Sequence, residues 1–220
     1  PDTPRGTIAK NRPTAQSMLD VKELLRKSEK PLVVLGGSGW SERACRQVQS
    51  FIEKNKLPVG CSFRRQDLFD NHHPNYVGDI GIGINPKLSE MVKESDLLLV
   101  IGARLGEMTT SGYTLIQAPT PRQKLIHIHP GSNELGRVFQ GSVMINSDIE
   151  EAVDALVSLP DIGATWGAWL KTGNDNYRAN VIPVSSPGDV DLGEVMTVLR
   201  GLLPRDSVIT NGAGNFSGWI

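Results

Sequence analysis

The 220-residue chain has few cysteines, few aromatic residues and no marked excess of either charge. Its two cysteines, Cys45 and Cys61, lie within an apolar helix pattern and at the end of an apolar run, and they form no metal-binding spacing such as C-x-x-C. We therefore expect two reduced, mostly buried thiols and no structural metal site. Such sparing use of cysteine suits a reducing cytoplasm.

Charge and hydropathy exclude further classes of protein. The formal net charge is -1 and the pI is about 6.5, so no basic excess indicates binding to nucleic acid or to an anionic membrane. No apolar run approaches the roughly twenty residues of a membrane span. Residues 1–13 lack the apolar core of a signal peptide. These absences predict a cytoplasmic protein with neither nucleic acid nor a membrane as a partner.

What the sequence does contain is a regular alternation of apolar runs and helical patterns. The apolar runs, interpreted as strands, cover residues 31–35, 57–61, 97–101, 124–129 and 143–145. Helices are predicted to follow Ser17, Ser41 and Ser147 and to begin at Pro86, with Ser147 and Glu150 as a capping box. Residues 62–77 are predicted to form a long polar loop. Strands that are apolar throughout and alternate with helices form doubly wound, Rossmann-like parallel sheets of the α/β class.

The pattern changes near Pro160. We interpret residues 1–160 as a leading segment and the α/β domain, residues 161–187 as a helix and interdomain linker, and residues 188–220 as the start of a second α/β element. In this last part Asp191 opens a helix with an apolar stripe, a strand is predicted over 207–210 and a glycine turn over 211–215. The proline-containing start and the end within a new element predict a piece of a longer protein.

Glycine-containing turns follow three of the predicted strands, at 36–38, 102–104 and 211–215, where ligands of doubly wound sheets bind. Gly36–Ser38 stands between a strand and a helix, so its backbone N–H groups and the helix N-terminus are suited to an anion. A plain tight turn explains the same residues equally well. Gly102–Arg104 follows the strand over 97–101, and Arg104 is either a bidentate phosphate ligand or a solvated arginine.

Two histidines, His127 and His129, lie at the end of the strand over 124–129. Because strand side chains alternate, we expect one ring to face into the sheet and the other away. Neither histidine has partners at metal-ligand spacing. No Ser-His-Asp order, paired-carboxylate motif or P-loop signature is present. The residues alone therefore predict a nucleotide-like α/β domain without a visible catalytic set.

Several segments, in their order along the chain, resemble a known family. They are PLVVLGGSG, SDLLLVIGARLGE, KLIHIHPGSNELGRVF and INSDIEEAVDAL, within roughly residues 31–159. This order resembles the central, DHS-like nucleotide-binding domain of the acetolactate synthase and pyruvate oxidase group of thiamine-diphosphate enzymes. A last segment, DSVITNGAGNFSGW, resembles the first strand and turn of that family's C-terminal cofactor domain.

The resemblance implies a thiamine-diphosphate-dependent transferase or lyase. Its cofactors are implied to be thiamine diphosphate and Mg²⁺, with FAD or a related nucleotide in the middle domain of some members and nothing there in others. The implied reaction is decarboxylation and carboligation of a 2-keto acid by a homodimer or homotetramer. Because the chain lacks the family's glutamate-bearing first domain and its later G-D-G…N metal motif, we expect no turnover from this chain alone.

The resemblance also implies which residues contact cofactors. Those implied to contact a flavin or nucleotide are Gly36, Gly37, Ser38, Gly102, Ala103, Arg104, His127, Ile128 and Asp148. Those implied to contact thiamine diphosphate are Gly212, Gly214, Asn215 and Phe216. No catalytic residue and no metal ligand is implied within the chain.

Two alternatives remain open from the sequence. The first is a flavin-free 2-keto acid decarboxylase or lyase whose middle domain is a structural or other-nucleotide-binding module. The second is a sirtuin-like deacylase, which has a related fold but whose zinc module needs four cysteines where this chain has two.

Overall fold

The computed structural model describes residues 6, 9–163, 165–204, 206–212, 214 and 218–219. The chain divides into two compact units, residues 1–177 and residues 178–220. Each unit is described by itself.

The first unit is a parallel sheet of six strands in the order β3-β2-β1-β4-β5-β6. The strands are β1 (Pro31–Leu35), β2 (Val59–Ser62), β3 (Tyr76–Ile80), β4 (Leu97–Ile101), β5 (Lys124–His129) and β6 (Val143–Asn146). Helix α1 (Ala15–Lys27) precedes the strands, α2 (Glu42–Lys54) and α3 (Pro86–Glu94) lie between them, and α4 (Ile149–Val157) follows them. This order is that of a doubly wound sheet and confirms the predicted fold class. The strand order reverses between β1 and β4, which places a crevice at their carboxyl ends.

Apolar side chains cover both faces of the sheet. On one face Val33, Leu99 and Ile126 pack with buried residues of α1, α2 and α4. On the other face Val34 and Val100 pack with buried residues of α3. Burial on both faces explains why these strands are apolar along their whole length. Among the residues described, no helix is long and apolar enough to cross a membrane.

Strand β3 was not predicted: its first two residues fall at the end of the stretch interpreted as a polar loop, 62–77, and the other three were assigned to no element. It lies at the edge of the six-stranded sheet and pairs with β2, from Val59 opposite Tyr76 to Ser62 opposite Ile80. The register shifts between Val59 and Gly60, and Gly78 lies within β3 with a φ of 124°. An edge strand needs neither continuous apolar character nor high β-propensity, so its sequence lacks the signal carried by the central strands.

Two predicted helix caps are corrected by the structure. Helix α1 is capped by Thr14, whose side chain accepts a hydrogen bond from the Ser17 backbone N–H, and not by Ser17. The capping box at Ser147 does not form, because Asp148 occupies the N-cap position and the Ser147 hydroxyl donates to the Asn11 carbonyl at 3.0 Å. The Ser147 hydroxyl thus binds the leading segment and does not cap α4. In contrast, the predicted cap of α2 by Ser41 is confirmed.

Helix α5 (Gly167–Asn180) follows α4 and is preceded by Trp166. Two tryptophans attach this part of the chain to the first unit: Trp166 Nε1 donates to the Asn55 carbonyl and Trp169 Nε1 donates to the Pro31 carbonyl, both at 2.9 Å. The prediction of a helix within residues 161–187 is confirmed.

The second unit contains α6 (Leu192–Leu202), capped as predicted by Asp191. The predicted strand over 207–210 is wrong, because those residues are not in a strand. A strand needs a neighbouring backbone to pair with, and within the described residues of 178–220 there is no other strand to supply one. The apolar stripe of α6 is exposed, with Leu202 at 75% and Val198 at 58%.

Candidate functional site

The loops after β1 and β4 touch at the crevice between these strands. The Gly36 N–H donates to the Ile101 carbonyl at 3.0 Å and the Gly102 N–H donates to the Ile128 carbonyl at 2.8 Å, so both glycines continue the bonding of the sheet. A Cβ on Gly37 would lie 1.9 Å from the Gly102 carbonyl oxygen. Glycine is therefore required here by the close approach of two backbones.

The loop after β1 presents backbone donors that have no acceptor among the described residues. Trp40 Nε1 donates to the Gly36 carbonyl at 2.8 Å, and Gly37 has a φ of 70°. No described residue accepts a hydrogen bond from the backbone N–H of Gly37 or Ser38. These two N–H groups are suited to bind an anion, as successive N–H groups of a tight turn do in other phosphate sites.

A cleft of about 620 Å³ opens beside these N–H groups. Its lining comes from the loops after β1, β2 and β4 and comprises Gly37, Ser38, Ser62, Phe63, Arg65, Arg104, Gly106, Glu107, Met108, Thr109 and Tyr113. No residue from the first turn of α2 is among them, so the donors of this cleft belong to the loop and not to the helix N-terminus. Phe63, Met108 and Tyr113 add apolar and aromatic surface to an otherwise polar lining.

Two arginines and one glutamate are the charged residues of this lining. Arg65 donates to Asp67 through two hydrogen bonds, from Nε to Oδ1 at 3.1 Å and from Nη2 to Oδ2 at 3.2 Å. Arg104 Nε lies 3.5 Å from Oε1 of Glu134, whose side chain is only 11% exposed, while the Arg104 side chain is 61% exposed. Each arginine of the lining is therefore paired with a carboxylate from outside it, Asp67 for Arg65 and Glu134 for Arg104.

His127 does not line the cleft. It is buried, and its Nε2 lies 2.9 Å from the Ala103 carbonyl oxygen. Burial lowers the pKa of His127, so the neutral ring donates from Nε2 to that carbonyl. The imidazole thus supports the residue that precedes Arg104.

The expectation that His127 and His129 face opposite ways is wrong. Their ring centroids are 5.9 Å apart on one side of the sheet. Residues two positions apart in a strand share a face, and it is the intervening Ile128 that points to the other face, into the core. The Nδ1 atom of His129 accepts a hydrogen bond from the Gly131 N–H at 3.0 Å.

Asp148 also lies away from the residues that line the cleft. Its Oδ2 accepts a hydrogen bond from the Asn11 N–H at 2.6 Å, and its own N–H donates to the Asn11 carbonyl at 3.0 Å. Its contacts attach the leading segment to the start of α4, next to the ion pair of Lys10 with Glu150 at 2.6 Å.

A second carboxylate, Asp79, is partly buried on β3 opposite Cys61 of β2. Its Oδ1 is buried and has no hydrogen-bond partner among the described residues. Burial raises the pKa of Asp79 to about 6. Burial, with a smaller contribution from Asp79, raises the pKa of Cys61 to about 12, so this thiol is protonated and unreactive at neutral pH.

Comparison with known proteins supplies the family. Residues 18–156 match the family described as thiamine pyrophosphate enzyme, central domain; thiamine pyrophosphate is another name for thiamine diphosphate. The chain belongs to this family.

The curated relatives of this chain include proteins named as synthases and proteins named as hydrolases. Over 203 residues it is 24% identical to the acetolactate synthase large subunit of Parasynechococcus marenigrum (strain WH8102), covering 90% of the chain and 32% of the relative. Over 199 residues it is 23% identical to the acetolactate synthase isozyme 2 large subunit of Escherichia coli (strain K12), covering 90% and 35%. Over 151 residues it is 25% identical to 3D-(3,5/4)-trihydroxycyclohexane-1,2-dione hydrolase 2 of Bacillus cereus, covering 69% and 23%. The chain spans about a third of the length of such relatives or less.

Within this thiamine pyrophosphate enzyme central domain, the structure brings together only part of the implied cofactor site. Gly37, Ser38 and Arg104 line the cleft. Gly36, Gly102 and Ala103 are buried immediately beneath them. The remaining implied residues of the first unit are His127 and Ile128, both buried, and Asp148, which binds Asn11.

The residues implied to contact thiamine diphosphate belong to the second unit. Gly212 and Gly214 are described, with the Gly214 N–H donating to the Gly212 carbonyl at 3.1 Å. Asn215 and Phe216 lie outside the described residues.

Several cleft residues were missed by the sequence analysis. Ser62 ends β2, the neighbour of β1, so its position at a strand end was an available signal. Phe63 and Arg65 follow it directly in the stretch interpreted as a polar loop. Met108, Thr109 and Tyr113 belong to the long connection between β4 and β5, where no periodic pattern indicated which side chains turn back over the sheet. Within the described parts of the chain, no group of three His, Cys, Asp or Glu residues could hold a metal ion.

Proposed function

We propose that the cleft at the carboxyl ends of β1, β2 and β4 binds the diphosphate-bearing part of a nucleotide, with FAD as the first candidate. The observation that carries this proposal is that Gly37 and Ser38, whose N–H groups have no acceptor among the described residues, line the same cleft as the side chains of Arg104 and Arg65. Backbone N–H groups and arginine side chains are the donors that bind phosphate oxygens in proteins.

The cleft fits such a group in size and character. Its volume of about 620 Å³ is within the usual range of ligand sites. Phe63, Met108 and Tyr113 offer an apolar surface for a planar ring, while Ser62 adds a hydroxyl near the loop after β1. A molecule with a charged diphosphate and an aromatic ring, such as FAD, matches both kinds of surface.

The neighbouring residues take supporting roles in this proposal. Gly36, Gly102 and Ala103 allow the two loops to pack closely, and His127 holds the Ala103 carbonyl. Ile128 stabilises the core beneath the loops, and Asp148 anchors the leading segment. For these residues direct contact with a nucleotide stays a prediction.

For the complete protein we propose an acetolactate synthase-like transferase or lyase that decarboxylates and joins 2-keto acids. Support comes from the two acetolactate synthase subunits that are aligned with 90% of this chain. Thiamine diphosphate, held through Mg²⁺, supplies the electron sink for the carbanion when bound. In the second unit, Gly212, Gly214, Asn215 and Phe216 are proposed to contact it. We further propose a cytoplasmic homodimer or homotetramer, and no turnover from this chain alone.

The experiment that tests the nucleotide proposal is calorimetric titration of the chain with ADP and with FAD. We expect saturable binding of both, and about tenfold weaker binding by Arg104→Ala. Arg122→Ala is the matched control, because it removes the same charge from an exposed arginine that hydrogen-bonds the Lys93 carbonyl near the start of β5. It should bind as the wild type does.

The outcomes separate the alternatives. No saturable heat with either nucleotide would overturn the proposal. Binding of ADP without FAD would instead favour the flavin-free decarboxylase or lyase, whose central domain takes another nucleotide. Loss of binding in Arg122→Ala equal to that in Arg104→Ala would show that overall charge, and not the cleft, determines the affinity.

A further inference from the structure

The Arg104 side chain is more exposed than that of Arg65, the other cation of the cleft. It nevertheless has a neighbouring residue on each of two sides. A Cβ added to Gly106 would lie 3.5 Å from Arg104 Nε and 3.8 Å from its Cδ, so the stem of Arg104 runs alongside a residue that has no side chain. On the other side, Glu134 Oε1 lies 3.5 Å from the same Nε atom.

Glu134 is itself held in place by the connection between β5 and β6. Its N–H donates to the Gly131 carbonyl at 3.2 Å, and its carbonyl accepts from the Arg137 N–H at 3.3 Å. Gly131 in turn donates its N–H to His129 Nδ1 at the end of β5. The Glu134 side chain is only 11% exposed and lies between two arginines, with Arg137 Nη1 3.6 Å from Oε2. These hydrogen bonds connect the backbone of Glu134 to the end of β5, so its carboxylate is held in one place beside Arg104.

The geometry points to Glu134 as a positioning residue that orients Arg104 for an anion in the cleft. A guanidinium group has five N–H donors on two usable edges. Glu134 approaches at Nε, and within the described residues no second carboxylate pairs with Arg104. The terminal nitrogen atoms therefore stay available for a bidentate contact with a phosphate group. This inference rests on the proposed nucleotide site.

Charge and position make opposite predictions for Glu134. If the carboxylate acted only through its negative charge, its removal would strengthen the binding of an anionic ligand. If it acts by positioning, its removal frees Arg104 to adopt many rotamers. Ligand binding then weakens, because fixing the Arg104 side chain in one rotamer costs side-chain entropy. A glutamine keeps a hydrogen-bond acceptor at the same place, so it retains the positioning and loses only the charge.

The test is calorimetric titration of the full chain with ADP. We expect Glu134→Ala to weaken binding about five- to tenfold, and Glu134→Gln to stay within about twofold of the wild type. In the double variant with Arg104→Ala, Glu134→Ala should have no further effect, because the residue it positions is gone. Arg137→Ala, which removes the other arginine beside Glu134, is the control and should bind as the wild type does.

Tighter or unchanged binding by Glu134→Ala would overturn the inference, and so would a further loss in the Arg104→Ala background.

A second measurement separates this inference from the nucleotide proposal. The ¹⁵Nε–H signal of Arg104, identified by its absence in Arg104→Ala, should be narrow in the ligand-free wild type and in Glu134→Gln, and broadened in Glu134→Ala. An unchanged signal in Glu134→Ala would overturn the positioning role. Absent ADP binding with the expected signals would overturn the nucleotide proposal alone.

Discussion

The carboxyl edge of the sheet has two halves that differ in how their polar groups are used. Around β1, β2 and β4 the loops surround an open cleft, and the N–H groups of Gly37 and Ser38 have no described acceptor. Around β5 and α4 the polar groups already bind the protein: His127 binds the Ala103 carbonyl and Asp148 binds Asn11. A polar residue at a strand end is therefore a ligand candidate only if its donors or acceptors remain unused.

This difference predicts different effects of substitution in the two halves. We call the loops around β1, β2 and β4 the open half and the loops around β5 and α4 the closed half. Changing a side chain of the open half should weaken nucleotide binding and leave the free energy of unfolding nearly unchanged. Changing a side chain of the closed half should lower the free energy of unfolding and leave nucleotide binding nearly unchanged. The following predictions test where this division holds and where it fails.

The largest effect is expected at Gly37, where the division should fail. Gly37→Ala places a Cβ against the Gly102 carbonyl and a side chain at a φ of 70°. We expect a loss of about 3 to 5 kcal/mol in the free energy of unfolding, measured by urea denaturation. Gly83→Ala is the control, with a φ of 73° and no atom within 4 Å, and should cost about 1 kcal/mol. Equal losses in the two variants would show that the contact between the loops is unimportant.

A smaller effect is expected at His127. His127→Ala leaves the Ala103 carbonyl without its donor and creates a cavity in a buried site. The expected loss is about 2 to 4 kcal/mol in the free energy of unfolding, with ADP affinity within about twofold of the wild type. His129→Ala, in the less buried neighbour on the same face, should cost less than about 1 kcal/mol. If ADP binding of folded His127→Ala fell more than about tenfold, the ring would instead belong to the ligand site.

Asp148 and Arg104 give the sharpest contrast between the two halves. Asp148→Ala removes the acceptor of the Asn11 N–H and should lower the free energy of unfolding by about 1 kcal/mol, with ADP binding unaffected. Arg104→Ala should weaken ADP binding and leave the free energy of unfolding nearly unchanged, because the Arg104 side chain is largely exposed and lines the cleft. Parallel denaturation and titration of both variants measure this. Weakened ADP binding by Asp148→Ala would restore it as a nucleotide ligand.

The smallest effect concerns the pH dependence of stability through Asp79. Burial raises the folded-state pKa of Asp79 to about 6, above that of the unfolded chain, so the folded state holds its proton more tightly. Its contribution to stability is present below pH 4 and is lost as the pH rises to about 6. After allowance for its partial exposure we expect about 1 kcal/mol. Asp79→Asn should remove this loss, and denaturation curves at pH 4, 5, 6 and 7 that run parallel for both proteins would contradict it.

The predictability of the fold differed between central and edge elements. The central strands β1 and β4 are apolar because both faces are covered, so their positions are readable from the sequence. The edge strand β3 contains glycine and aspartate and pairs on one side only, so it has no such signal. In the cleft, Gly37, Ser38 and Arg104 follow strand ends and were predicted, whereas Met108 and Tyr113 arrive from a long irregular connection.

Helices α2 and α6 show the limit of periodicity. Both have an apolar stripe and a capping residue that the sequence predicts correctly. The stripe of α2 is buried, with Ile52 at 0% exposure, while that of α6 is exposed, with Leu202 at 75%. A pattern repeated every three to four residues specifies that a helix has an apolar face, but not what covers that face.

Local patterns of burial and backbone conformation were enough to predict the class of fold, the central strands and the glycine turns after β1 and β4. Which polar groups at the strand ends remain free could not be predicted in this way, because it depends on contacts between distant parts of the chain. Whether His127 or Asp148 has an unused donor or acceptor depends on Ala103 and Asn11, which are distant in sequence. Hydrogen bonds saturate, so a group that binds a distant part of the chain is no longer available to a ligand.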